Sequence, residues 1–235
     1  MSRSRSISKE FPVRFYRLGR LFKDRRLIRR ERTELWAIAL ALVLYHLGLS
    51  LRKTALLLGA FGVERSHVAV WYWLQRMGER WQVWRGPLPP CIVVDETWVK
   101  VGGRSAWIFT AIDPLTWRII YLEPFFTRSE ETTSEFLKHL AEAYGSWPKE
   151  VITDGGSWYR AAVPIWSWKK KFLWRVVRGG LRSSIEGFFG EFLKRRLKDF
   201  DCYVPTQQGL RSLRHWLWGY AWFHNWLLMG GLELS

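Results

Sequence analysis

Three carboxylates stand out by where they sit. Asp95 follows the apolar run Ile92-Val93-Val94, and Asp154 follows Val151-Ile152-Thr153 and precedes Gly155-Gly156. Glu186 lies in the segment that opens after Arg182-Ser183-Ser184. A carboxylate behind such an apolar run costs several kcal/mol to bury unless it is paired or bound to metal. Strand ends are where open α/β sheets place their ligands. Three hard oxygen donors, with no thiolate and no imidazole cluster, suit Mg²⁺ or Mn²⁺. Two such ions about 3.5–4 Å apart can hold the attacking and leaving oxygens of an in-line phosphoryl transfer. Taken singly, each acid is equally well a helix cap or a surface ion-pair partner, so the weight lies on the three together. Rival acids fit less well. Glu96 points to the opposite face of the strand from Asp95, and Asp113 precedes Pro114 in a turn. Glu191 lies about 140° around a helix from Glu186, and Asp199 and Asp201 fall in a loop. There is no Gly-rich phosphate loop and no G-x-S-x-G elbow. His139, His215 and His224 are helical histidines with no partner ligand in the pattern.

The elements that must bring these acids together can be drawn from periodicity and punctuation. Residues 92–101 form a strand, Gly102-Gly103 a two-residue hairpin turn, and residues 106–112 a second strand. Asp113-Pro114-Leu115-Thr116 turns the chain into a third strand over 118–125. Ser129 caps a helix over 130–144, which Gly145 and Pro148 end. A short strand at 151–153, a helix from about Trp158, a strand at 172–177 and helices over 183–197 and 207–228 complete the chain. Three antiparallel strands, helix, strand, helix, strand, helix is the order of a ribonuclease-H-like mixed α/β sheet. In that layout the first and fourth strands are neighbours, and the late helix packs over their ends.

An all-α module precedes this domain. Residues 33–47 form a helix stopped by Gly48, and Ser50 caps a second that runs through Leu58. Gly59 and Gly62 break the chain, and Ser66 caps a third helix from His67 to about Met77, with Gly78 after it. This is the helix-turn-helix pattern. In its last helix Val70, Trp73 and Leu74 face the module's core. Ser66, His67, Trp71 and Gln75 are left for DNA, with Arg76 nearer the phosphates. The prolines at 87, 89 and 90 mark a boundary. The expected division is therefore a basic arm over 1–31, the helix-turn-helix domain over 32–85 and the catalytic domain over 90–235.

Charge names the partner class. The chain of 235 residues carries 37 Lys and Arg against 21 Asp and Glu, a net charge of +16. So large an excess excludes an ordinary metabolic enzyme as the default and calls for a polyanion. With 48% hydrophobic residues and 17 Trp, the chain is no disordered basic tail. Residues 1–30 hold eleven basic residues and two acids, a tether for backbone phosphate. A second basic set, Lys169, Lys170, Lys171, Arg175, Arg178, Arg182, Lys194, Arg195 and Arg196, lies around the third acid in sequence. The apolar stretch Leu35–Leu49 is too short to span a bilayer and reads as a buried helix, so no membrane is implied. Cys91 and Cys202 stand far apart, which excludes a disulfide framework or Cys-rich zinc site and suggests a reduced, intracellular protein.

The sequence resembles DDE transposases of insertion-sequence family six. The run Val94-Asp95-Glu96-Thr97-Trp98-Val99-Lys100-Val101 is similar to that family's first catalytic block, and Pro148–Gly155 to its second. Ser184-Ile185-Glu186 with Lys194-Arg195-Arg196 is similar to the third, and Ser66–Arg76 resembles the recognition-helix segment. The 31 residues between Asp154 and Glu186 are close to that family's spacing. Leu193 stands where relatives carry a basic residue, and Lys194 or Arg195 takes that place. The resemblance implies a cytoplasmic, nucleoid-associated transposase that binds the terminal inverted repeats of its own element. Asp95, Asp154 and Glu186 would hold two Mg²⁺ or Mn²⁺ ions for 3′-end cleavage and strand transfer. The partners would be double-stranded repeat and target DNA, with a homodimer in the DNA complex. A regulator that kept the fold and lost catalysis is the alternative, marked by loss of an acid; here all three are present. A simple nuclease would not need the N-terminal module.

Overall fold

The computed structural model describes residues 18–20, 31–80, 86–177, 187, 197 and 210–228. Most of the basic arm, Arg182, Glu186, Lys194, Arg195, Arg196 and Cys202 lie outside the described residues. The chain divides into two compact units, residues 83–217 and residues 1–82 with 218–235.

Unit 83–217 is built on a five-stranded sheet. Strands β1 (Cys91–Val101), β2 (Arg104–Ile112) and β3 (Ile119–Phe125) run antiparallel in succession. Gly102 and Gly103 take positive φ of 58° and 77° in the first hairpin, a conformation in which a side chain would be strained. Asp113 makes the next turn, as its place before Pro114 implies. Its carboxylate accepts the Leu115 N–H at 2.9 Å and the Thr116 hydroxyl at 2.7 Å. Helix α4 (Glu130–Tyr144) starts at a capping box in which Ser129 and Thr132 satisfy each other's N–H groups, and it ends at left-handed Gly145. Strand β4 (Glu150–Thr153) then lies parallel to β1. Helix α5 (Ser157–Lys170) crosses over, and β5 (Leu173–Val176) lies parallel to β4. The order across the sheet is β3-β2-β1-β4-β5, the ribonuclease-H-like layout implied by the order of elements in the sequence.

One face of this sheet carries the main core. Ile92, Val94, Phe109, Ala111 and Val151 from the strands meet Phe136, Leu137 and Leu140 from α4, and Tyr159 and Val163 from α5. Phe109 packs edge-on to Phe125 and tilted against Phe136, with ring centres 5.7 and 5.6 Å away. Rigid aromatic packing of this kind fixes where each strand ends, and so where residues just past the ends stand.

The other unit contains α1 (Leu35–His46), α2 (Leu51–Ala60) and α3 (His67–Arg80). Helix α1 is buried around most of its circumference, as its apolar sequence requires. Ser50 and Ser66 act as the expected caps, accepting the N–H of Lys53 and of Ala69. The last described helix, α6 (Arg211–Leu228), was expected to lie wholly within the domain over 90–235. Its residues from Trp218 onward instead group with α1–α3, where Phe223 stacks on His46 at 4.8 Å. A helix with two sets of partners needs apolar residues on more than one side, which accounts for its spread of tryptophans. No helix among the described residues is long and apolar enough to cross a membrane.

Candidate active site

The register between β1 and β4 sets the site. Cys91 lies opposite Glu150, Ile92 opposite Val151, and Val93 opposite Ile152. Two residues further along both strands come Asp95 and Asp154, level with each other and on the face that Val93 and Ile152 share. Both are half-buried. The Asp95 carboxylate accepts the Glu96 N–H at 2.9 Å, and that of Asp154 accepts the Gly156 N–H at 2.9 Å. Gly155 has φ of 78°, and a Cβ there would meet Val176 Cγ1 at 2.6 Å, so only glycine lets the chain leave β4 this way. The Thr153 hydroxyl braces the same corner, accepting from Trp174 Nε1 at 3.1 Å and from the Gly155 N–H at 3.2 Å.

Glu96 points to the opposite face, as strand alternation predicts, but it is no bystander. Its side chain is 5% exposed. It accepts the Tyr159 hydroxyl at 2.6 Å and Arg128 Nη1 at 3.1 Å. The Arg128 guanidinium lies between the rings of Trp107 and Trp158, 3.9 and 3.7 Å from their centres. Burial pushes the Glu96 carboxyl above its usual range, opposed by the hydrogen bonds from Tyr159 and Arg128. The Tyr159 phenol is held well above its ordinary value, first by burial and then by the negative charges of Glu96, Asp95 and Asp154. One hydroxyl on α5 thus senses all three carboxylates. Arg128 and Tyr159 were missed in the sequence. The available signal was Glu96 itself, an acid in step with Ile92 and Val94 on the core-facing side of a strand.

The described donors fit a hard divalent cation in kind: two neighbouring carboxylates, with no imidazole or thiolate beside them. Among the described residues no group of three His, Cys, Asp or Glu could hold a metal. Glu186, the third acid of the reading, lies outside them. Cys91 is the first residue of β1, its thiol raised to about 11 by burial and by Glu150. His139 is committed to the buried Glu123 at 2.8 Å, and Arg214 pairs with the same carboxylate at 2.9 Å.

The expected nucleic-acid contacts fall in two places. On α3, Val70, Trp73 and Leu74 are buried at 0%, 2% and 2% exposure, as expected of core positions. Ser66 and His67 are exposed, and with Arg52, Gly59 and Arg65 they line an open hollow of about 600 Å³. Trp71 and Gln75 are half-buried. Arg76 is tied to the Tyr72 hydroxyl at 2.8 Å and to Glu79 at 3.1 Å. Lys169, Lys170 and Lys171 are exposed at the end of α5, just before β5 begins. Because β5 runs parallel to β4, that places them at the far end of these strands from Asp154. Their nearness in sequence to the other basic residues is not nearness to the aspartate pair.

Residues 91–198 match a family model described as a DDE domain. The uncharacterised protein MJ0017 of Methanocaldococcus jannaschii is 32% identical over 205 residues, 87% of this chain and 92% of that one. The chain belongs to the same family as MJ0017, and its residues 91–198 match the DDE domain. The transposase for insertion sequence element IS257 in transposon Tn4003 of Staphylococcus aureus is 29% identical over 111 residues. That match spans 45% of this chain and about half, 48%, of the staphylococcal protein. Among solved structures, the HTLV-2 integrase catalytic core domain in complex with magnesium has a TM-score of 0.39 at 18% identity, over 56% of this chain and 86% of that one. The simian T-cell lymphotropic virus intasome has a TM-score of 0.42 at 15% identity, over 69% and 63%. Both aspartates fall inside the DDE-domain match, as do Glu96, Arg128 and Tyr159.

Proposed function

We propose that this DDE-domain protein is a transposase that binds the terminal inverted repeats of an insertion sequence, cleaves their 3′ ends and joins those ends to target DNA. The observation that carries the reading is the side-by-side placement of Asp95, within β1, and Asp154, just past the end of the adjacent parallel strand β4, within a DDE-domain match. Asp95, Asp154 and Glu186 would hold two Mg²⁺ or Mn²⁺ ions. When bound, such ions activate an attacking oxygen and stabilise the leaving one.

The chain's own residues supply position. The Gly156 N–H orients the Asp154 carboxylate, and the glycine pair lets the backbone turn clear of the strand end. Glu96 ties β1, through Tyr159 and Arg128, to α5 and to the loop before α4, so the Asp95 side of the strand is held while substrate binds. Water breaks the phosphodiester in the cleavage step, and the freed 3′-hydroxyl attacks the target phosphodiester in the joining step. Neither step needs a protein nucleophile. Helix α3 would present Ser66, His67, Trp71, Gln75 and Arg76 to the repeat as the second helix of a helix-turn-helix. Lys169–Lys171, Arg182 and Lys194–Arg196 would contact phosphates. Double-stranded repeat and target DNA are the partners, with two protomers in the DNA complex to bring two ends together, in a cytoplasmic, nucleoid-associated setting.

The test is cleavage of a duplex carrying the element's own terminal repeat, with Mg²⁺, by wild type and by Asp95→Asn, Asp154→Asn and Glu186→Gln. Each variant should bind the repeat and fail to cut it. Cutting near the wild-type rate by any one of them removes that residue from the site.

A further inference from the structure

The far end of the sheet carries a group of residues that the chemistry does not use. Trp147, just before β4, stacks on Trp166 of α5, with ring centres 5.3 Å apart and planes 12° from parallel. Phe172 stacks on Trp147 at 5.8 Å and 8°. Four lysines lie on this aromatic platform. Lys138 of α4 and Lys169 of α5 stand over Trp166 at 5.1 and 5.4 Å, and Lys170 over Trp147 at 5.6 Å. Lys171, in the left-handed conformation that ends α5, stands over Trp168 at 5.6 Å. All four lysines are exposed, and Trp168 is 73% exposed. Among the described residues none of the four is in an ion pair. The nearby Glu150 carboxylate is already taken by Arg175 at 2.7 Å.

We infer that this lysine–tryptophan platform is a second seat for the phosphate backbone of duplex DNA, separate from the reacting phosphodiester and indifferent to base sequence. Four like charges on one patch repel each other, and a polyanion relieves that cost. Each ammonium nitrogen stands 5.1–5.6 Å from a ring centre on a side chain that is exposed, so part of the side-chain entropy of binding is already spent. Bases are not the occupant, because Trp147 has its faces against Trp166 and Phe172, and Trp166 carries lysines as well as Trp147. With those faces covered, little remains for base stacking on these two rings, and Lys171 already stands over the exposed Trp168. Lysine ammonium groups meet phosphates as point charges.

Spacing fixes which DNA this is. Asp154 is level with the end of β5, and Lys171 precedes the start of that strand. The separation along the strands is about 15–20 Å, which at 3.4 Å per step is about five base pairs. The same phosphate cannot touch both ends, so the platform would hold a flanking stretch. The inference rests on the DNA-binding part of the proposed function and not on its catalytic part.

The experiment measures binding of the full chain to a 30-base-pair duplex lacking the repeat, across a series of salt concentrations. Removing three phosphate contacts in Lys169→Ala/Lys170→Ala/Lys171→Ala should flatten the slope of log affinity against log salt by about 2.7. Affinity at the lowest salt should fall at least tenfold. Lys100→Ala/Arg104→Ala, which removes two equally exposed charges at the β1–β2 hairpin, should change the slope by less per charge removed. An equal change per charge would reduce the platform to general surface charge and overturn the inference. So would an unchanged slope in the triple variant, or a wild-type chain that does not bind the duplex. Loss of cleavage in Asp154→Asn has no bearing on this readout, so the two readings can fail separately. Equal thermal unfolding midpoints for the variants and wild type would show that the fold is intact.

Discussion

The two ends of one sheet have been built in opposite ways. Midway along β1 and just past the end of β4, negative charge is gathered beside a pair of glycines, and side chains are fixed by short hydrogen bonds. Before the starts of β4 and β5, positive charge lies over indole faces, on lysine side chains that are exposed. The carboxylate end is set by backbone register and by Tyr159 and Arg128, each in contact with Glu96. Small displacements there would pull oxygen donors apart. The lysine end tolerates displacement, because a point charge on a flexible stem finds a phosphate over a range of positions. Under the proposed function this is a division of labour, in which accuracy would be needed where bonds break and adhesion would be placed elsewhere.

The largest expected effect comes from the carboxylates. Asp95→Asn or Asp154→Asn should lower the cleavage rate by about a thousandfold or more, roughly 4 kcal/mol of barrier. Affinity for duplex DNA should hold or rise slightly, because a negative charge has been removed. A parallel loss of affinity would show that the two ends do not divide the work. Next comes Glu96→Ala, which strips Tyr159 and Arg128 of their acceptor. Arg128 keeps access to solvent, with its side chain 31% exposed, so the cost falls below that of a fully buried pair. A loss of about 2–3 kcal/mol in urea unfolding is expected, with Glu96→Gln recovering part of it. Full stability in Glu96→Ala would mean that this network does not hold the acid end. The smallest effect belongs to Ser129→Ala, which removes the α4 cap and should cost about 1 kcal/mol in the same assay. It should alter neither cleavage at saturating DNA nor the salt slope. A change in either would mean that general loosening, rather than the two ends, governs function.

Much of this architecture was legible in the sequence. The glycine hairpin, the caps Ser50, Ser66 and Ser129, and the alternation of apolar residues fix β1–β3 and α1–α4 through local rules. The adjacency of Asp95 and Asp154 follows once β4 is recognised as a buried strand, because the register then leaves little freedom. What escaped was decided by crossing and packing over long distance. Lys169–Lys171 sit near Glu186 in sequence, but the crossover through α5 delivers them to the strand starts. Glu96 was rightly assigned to the other face. That this face would enclose it with a tyrosine 63 residues later and an arginine between two indoles carries no local signature. The many-sided apolar character of α6 likewise signalled burial without naming its partners.

The central claim is that Asp95 and Asp154 form one cation site. Calorimetric titration of Mn²⁺ into the full chain tests it most directly. The account predicts binding by wild type, and a weakening of at least tenfold in both Asp95→Asn and Asp154→Asn. Isotherms for either variant that overlay the wild type would contradict it.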